Sequence, residues 1–207
     1  MKKSKLIWSM SFFLLLFLNI SCSKSDDKSG IDENCNFTSE QEEGLKYMRE
    51  EEKLARDVYY YLYEKWGLDI FNHIGSSEQS HMDLVLNLMN KCGIEDISLN
   101  DYGKFSNTHL QELYDQLVAA GEQSLIDALK VGATIEDVDI FDLDKFASET
   151  QNESLLEVYE KLNCGSRNHM RAFNKQLNSR DASYTPQYIS QSKFDEILNS
   201  SQESCGS

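Results

Sequence analysis

Glu78-Gln79-Ser80-His81 is the stretch from which the rest of the chain is read. A Glu and a His three residues apart on a helix point the same way. Continued toward the C-terminus, Glu78, His81, Val85, Leu88 and Cys92 keep an alternating spacing of three and four, the inward seam of a bundle helix. Two ionisable side chains therefore stand at core positions, where a charge without a partner is costly.

Three further seams share this property. A capping box, Thr38 with Gln41, opens a long helix ending near Trp66-Gly67, whose stripe runs Leu45, Met48, Glu52, Ala55, Tyr59, Leu62 and Trp66. Glu52 faces inward by this period, whereas Glu50 and Glu51 read as a solvated face. A connection from Leu68 to Gly75 leads to the Glu78 helix, which Ser76 or Ser77 can cap and Gly93 ends. Ile94 to Asn107 lacks a helical period and is long enough to cross the bundle. Thr108 to Ala120, closed by Gly121, is a short amphipathic helix expected outside the bundle. The third long helix, about Ser124 to Ser148, carries Leu125, Leu129, Gly132, Glu136, Asp139, Leu143 and Phe146, leaving Asp137, Asp142 and Asp144 to solvent. Asn152 caps the fourth, with Leu155, Tyr159, Leu162, Ser166, His169 and Phe173 on its seam. A short helix is expected at Ser192 to Leu198, then a disordered tail over 199–207. A single proline, Pro186, and the absence of strand patterning make the class all-α.

Glu52, Glu78, Glu136 and Asp139 would thus converge in the core with no Lys or Arg on any seam. A pair of divalent cations resolves the charge, and mixed carboxylate and imidazole donors from His81 and His169 suit iron or manganese. His73 and His109 lie off the seams and read as surface residues.

The pattern Glu52-Lys53-Leu54-Ala55-Arg56-Asp57-Val58-Tyr59, Glu78-Gln79-Ser80-His81, Glu136-Asp137-Val138-Asp139 and His169 resembles the ferritin-like di-iron carboxylate proteins, rubrerythrin among them. Tyr47 to Ala55 and Gly165 to His169 more closely resemble an uncharacterised bacterial and archaeal ferritin-like family of unknown function, over Phe37 to Leu198. The resemblance implies an antiparallel four-helix bundle with a long crossover carrying an extra short helix. It also implies Glu52 as a terminal ligand, Glu78 and Glu136 as bridges, His81 and His169 as nitrogen donors and Asp139 as a carboxylate able to swing onto the metal. Ser166 departs from the pattern, standing where rubrerythrin-like proteins have the Glu of a second Glu-x-x-His. Asp139 compensates, or the second ion is weak, or water leaves an open position. Tyr59 is either a relay or ligand partner of the centre or a core aromatic, and Arg56 and Arg167 pair with the carboxylates or with surface acids.

At the N-terminus Lys2, Lys3 and Lys5 precede an apolar run, Leu6 to Ile20, too short to span a bilayer. Leu18-Asn19-Ile20-Ser21-Cys22 resembles a bacterial lipobox, with Asn19 where an apolar residue is usual. That implies a lipoprotein signal over 1–21, acylation at Cys22, a tether over 22–36, a domain over 37–198 and attachment to the cell envelope by lipid alone. The net charge of −15, or −18 without the leader, argues against nucleic acid. Cys35, Cys92, Cys164 and Cys205 allow three disulfide connectivities, with Cys35 to Cys92 or Cys164 preferred. Expected partners are metal ions, a small oxidant such as peroxide or oxygen, and a second copy of the chain in a homodimer. The functions implied are a di-iron or di-manganese oxidoreductase of peroxidase or ferroxidase type, a non-catalytic sequestering protein, or a helical module that has lost its site.

Overall fold

A computed structural model describes residues 35–206; the leader, Cys22 and most of the tether lie outside them. Six helices follow in order: α1 (Ser39–Trp66), α2 (Asp69–Lys91), α3 (Thr108–Gly121), α4 (Leu125–Ser148), α5 (Glu153–Asn178) and α6 (Gln191–Asn199). The described residues contain no strand, so the fold is an all-α bundle. None of their helices is long and apolar enough to cross a membrane.

Short links set the pairing. Gly67 at φ +64° turns α1 into α2, and Glu149 to Asn152 turn α4 into α5, so each pair packs as an antiparallel hairpin. The long crossover carries α3, which lies against α1 and α4 and buries Leu110 and Leu117 in the core. The Thr38–Gln41 capping box closes with both of its hydrogen bonds, at 3.3 and 2.9 Å.

α2 begins seven residues before the expected Ser76. Its apolar stripe continues back through Ile74 and Phe71, and Gly75 lies within the helix. A Cβ there would meet the Tyr60 ring at 2.8 Å, so this glycine permits α1 and α2 to approach. Ser76 and Ser77 are accordingly interior residues, not caps.

The run Arg49-Glu50-Glu51-Glu52-Lys53 is buried throughout, correcting the assignment of Glu50 and Glu51 to solvent. Glu50 accepts from the backbone N–H groups of Ser106 and Asn107 at 2.7 and 3.0 Å, Arg49 donates to Asp96, and Lys53 donates to Asp57 at 2.7 Å. Lys53 also donates to the carbonyls of Asp101 and Lys104, while Asp57 accepts from the Gly103 N–H. These charges hold the crossover that the helical period could not place. Asp137, also expected in solvent, is fully buried and accepts from the Tyr184 hydroxyl and the N–H groups of Gln187, Tyr188 and Ile189. Asp142 and Asp144 are half-buried.

Within the described residues, the segment expected as a disordered tail is tied to α5. Cys205 is disulfide-bonded to Cys164, and Glu203 accepts from Arg167 and Arg171 while its N–H bonds the Asn168 side chain. The other disulfide, Cys35–Cys92, ties the expected tether's end to the end of α2.

Candidate metal centre

Two apolar clusters fill the bundle interior. One is centred on Tyr59, Phe71 and Phe173, the other on Leu45, Met48, Val85, Met89 and Leu162. On every seam the polar residues fall between them, so Glu52, Glu78, Glu136, Asp139, Ser166 and His169 are buried in a layer with dry walls on both sides, and His81 is nearly so.

Within that layer the donors form two triads. Glu52, Glu78 and His81 compose one, Glu78, Glu136 and His169 the other, and Glu78 belongs to both. The His81 Nδ1 lies 2.7 Å from Glu78 Oε2 and 3.1 Å from Glu52 Oε2. The His169 Nδ1 lies 2.9 Å from Glu78 Oε1 and 3.4 Å from Glu136 Oε2. Each oxygen of Glu78 therefore faces a different imidazole. Two donors about 2.1 Å from one ion and at right angles would stand about 3.0 Å apart, which these separations bracket.

The remaining polar groups orient the donors. The His169 Nε2 lies 3.0 Å from the Ser77 hydroxyl, and donation from Nε2 to Ser77 leaves the Nδ1 lone pair turned toward the carboxylates. The His81 ring lies over Gly165, where an added Cβ would come within 2.4 Å of it. Gly165→Ala is accordingly expected to displace His81 and weaken ion binding at its triad by about 10–100-fold, the range for lost orienting contacts. Isothermal titration with Mn(II) measures this; unchanged affinity would show that the ring has another resting place.

Tyr59 donates to Glu136 Oε1 and lies 3.3 Å from the Gly132 carbonyl, so it is a core aromatic whose hydroxyl holds a carboxylate of the centre. Only Glu136 Oε2 then faces a triad, and Glu136 does not span both as a second bridge would. Asp139 belongs to neither triad; Ser166 donates to its Oδ2 at 3.1 Å, and no donor reaches its Oδ1. Arg56 pairs with Asp57 and Gln79, and Arg167 with Glu203 and Glu160, so neither touches the centre. His73 and His109 are exposed, as read. Sequence reading missed Ser77 and Gly165 as orienting residues, and Glu51, which lies beside Asp139.

Burial pushes the Glu52 carboxyl up to about 7 against the opposing pull of His81, and burial raises Glu136 and Asp139 as well. For Glu78 burial is outweighed by His169 and His81, which hold its carboxyl well below the ordinary range. Burial alone would lower both imidazoles, yet the facing carboxylates raise His81 well above its usual value and His169 to about 10. Without a cation, then, protons occupy the layer. Glu52 Oε1 has no hydrogen-bond partner at all, and the contacts of Glu78 and Glu136 Oε2 with the imidazole Nδ1 atoms are at ion-pair distance without hydrogen-bond geometry. The donor set and these orphaned atoms fit a pair of divalent cations.

An all-helical bundle with an acid and imidazole layer in its core is the class that fold and site define. Over residues 41–201 the chain matches the model of an uncharacterised protein domain, DUF2202, and it belongs to that family. It is 56% identical over 168 residues to the uncharacterised protein MJ0754 of Methanocaldococcus jannaschii, covering 81% of this chain and 91% of the relative. The crystal structure of that hypothetical protein superposes with a TM-score of 0.80 at 55% identity, covering 81% of this chain and 96% of the other.

Proposed function

We propose that this protein is a metal-binding lipoprotein of ferritin-like type that holds two iron or manganese ions and acts on peroxide, oxygen or ferrous iron. The observation that carries the reading is the pair of triads sharing Glu78, with both imidazole Nδ1 atoms turned inward. Glu52 and His81 would hold one ion, Glu136 and His169 the other, and Glu78 both. Bound iron or manganese would supply one-electron changes at each ion, two electrons together being what peroxide takes on its way to water. The chain's own groups place the donors: Ser77 fixes the His169 tautomer, Tyr59 steadies Glu136, and the two apolar clusters exclude bulk water.

Among the described residues every cysteine is in a disulfide, so electrons would come from a separate donor. The disulfides also suit the export expected from the lipobox-like leader; globomycin-sensitive processing and palmitate labelling lost in Cys22→Ala would test that part. Anaerobic Fe(II)-loaded protein mixed with peroxide or oxygen should give a rapid optical change that His81→Ala abolishes. Metal-replete protein without that change would leave a sequestering role.

Ion binding must displace the protons on His81, His169 and Glu52, so affinity should rise with pH. The metal-free protein should do the reverse. Glu52 and His169 both carry folded values above their unfolded ones, so their stabilisation is present at low pH and fades as pH rises through about 7 and about 10 respectively. Urea unfolding at pH 5 and 8, with chelator or with Mn(II), should show these opposite slopes. Parallel slopes would speak against displacement of protons by ions.

A further inference from the structure

We infer that the two ion positions are unequal, and that the Glu136–His169 position, where Tyr59 withholds one carboxylate oxygen, is the one at which a small oxidant binds. This rests on the two-ion reading and adds which half of the centre is open. The triads correspond about Glu78, Glu52 with His81 answering to Glu136 with His169, but their outer carboxylates differ. Glu52 Oε2 lies 3.1 Å from the His81 Nδ1, and Oε1 is buried without a hydrogen-bond partner, so Glu52 can close on one ion with both oxygens. Glu136 Oε1 accepts from the Tyr59 hydroxyl. That leaves an ion only Oε2, 3.4 Å from the His169 Nδ1.

The helices that carry the imidazoles differ in the same sense. On α2 the residue three before His81 is Glu78, which presents an oxygen to each imidazole. On α5 the residue three before His169 is Ser166, whose hydroxyl donates to Asp139 Oδ2 at 3.1 Å. α5 therefore brings no carboxylate to the ion beside His169, and Asp139 belongs to neither triad. Ser77 bonds the far nitrogen of the His169 ring and adds no donor among the carboxylates. With fewer protein donors, the Glu136–His169 position should hold its ion more weakly and keep a coordination position free, which is what a ligand from solution needs.

Binding measurements on the full chain test this apart from activity. Isothermal titration of chelator-treated wild type with Mn(II) should give two constants at least about tenfold apart. Glu136→Gln should keep the tighter constant and Glu52→Gln the weaker one. Tyr59→Phe, which frees Glu136 Oε1 at nearly constant volume, should tighten the weaker ion and leave the other unchanged. A hydrogen bond that merely oriented Glu136 would give the opposite sign, with binding about 10–100-fold weaker on its loss. Azide, followed in the visible spectrum of Co(II)-loaded protein, should bind Glu52→Gln more tightly than Glu136→Gln; these two variants carry the test if Tyr59→Phe does not fold. Equal constants in wild type, weakened binding in Tyr59→Phe or the reverse azide order would overturn the inference and leave the two-ion centre standing. Wild type binding no Mn(II) would overturn both.

Discussion

Glu78→Gln is expected to abolish binding of both ions, whereas Glu52→Gln and Glu136→Gln each remove one. The difference follows from geometry: each Glu78 oxygen faces a different imidazole, while Glu52 and Glu136 each face a single triad. Gln keeps the shape but carries no charge, and its amide would turn two N–H donors toward a position that needs a lone pair. Because loss of orienting contacts alone costs about 10–100-fold in metal affinity, loss of a shared ligand should exceed about 100-fold at both triads. Mn(II) titration of the three variants, with helicity checked by circular dichroism, gives the stoichiometries. Equal losses from all three would show that Glu78 is not the common ligand.

Asp57→Ala should be the most damaging change away from the centre, destabilising the protein by about 3–5 kcal/mol, because it leaves the buried Lys53 with two carbonyl acceptors but no counter-charge. Lys53 and Asp57 are almost wholly inaccessible and 2.7 Å apart, and Asp57 also accepts from Arg56 and from the Gly103 N–H. The loss should lower Tm by roughly 10 °C for a domain of this size. Lys53→Met should cost less, since Asp57 keeps Arg56 as a partner. Urea unfolding of both variants checks the order; a cost below about 1 kcal/mol for Asp57→Ala would mean that water reaches the pair.

The buried acid and imidazole layer was legible because its residues sit on helical seams. Glu52, Glu78, His81, Glu136, Asp139, Ser166 and His169 each interrupt an apolar period, and a period of three and four is local information. Glu50, Asp57 and Asp137 were not legible for the opposite reason. Their partners are backbone N–H groups of Ser106, Asn107, Gly103 and the segment from Gln187 to Ile189, some fifty residues away in sequence. An aperiodic loop carries no signal of where its amides will point, so carboxylates that secure loops look like surface charges. The early start of α2 was hidden similarly, since Gly75 as a breaker and Gly75 as a close helix contact are the same letter. In the C-terminal segment, the bonds from Glu203 to Arg167 and Arg171 depend on the disulfide partner of Cys205, which spacing left open.

The central claim is that cations, not protons, complete the buried acid and imidazole layer in the working protein. Elemental analysis of the chain purified without chelators from cells grown with iron and manganese addresses it most directly. About two transition-metal ions per chain are expected, lost in Glu78→Gln; folded wild-type protein carrying no stoichiometric transition metal would contradict it.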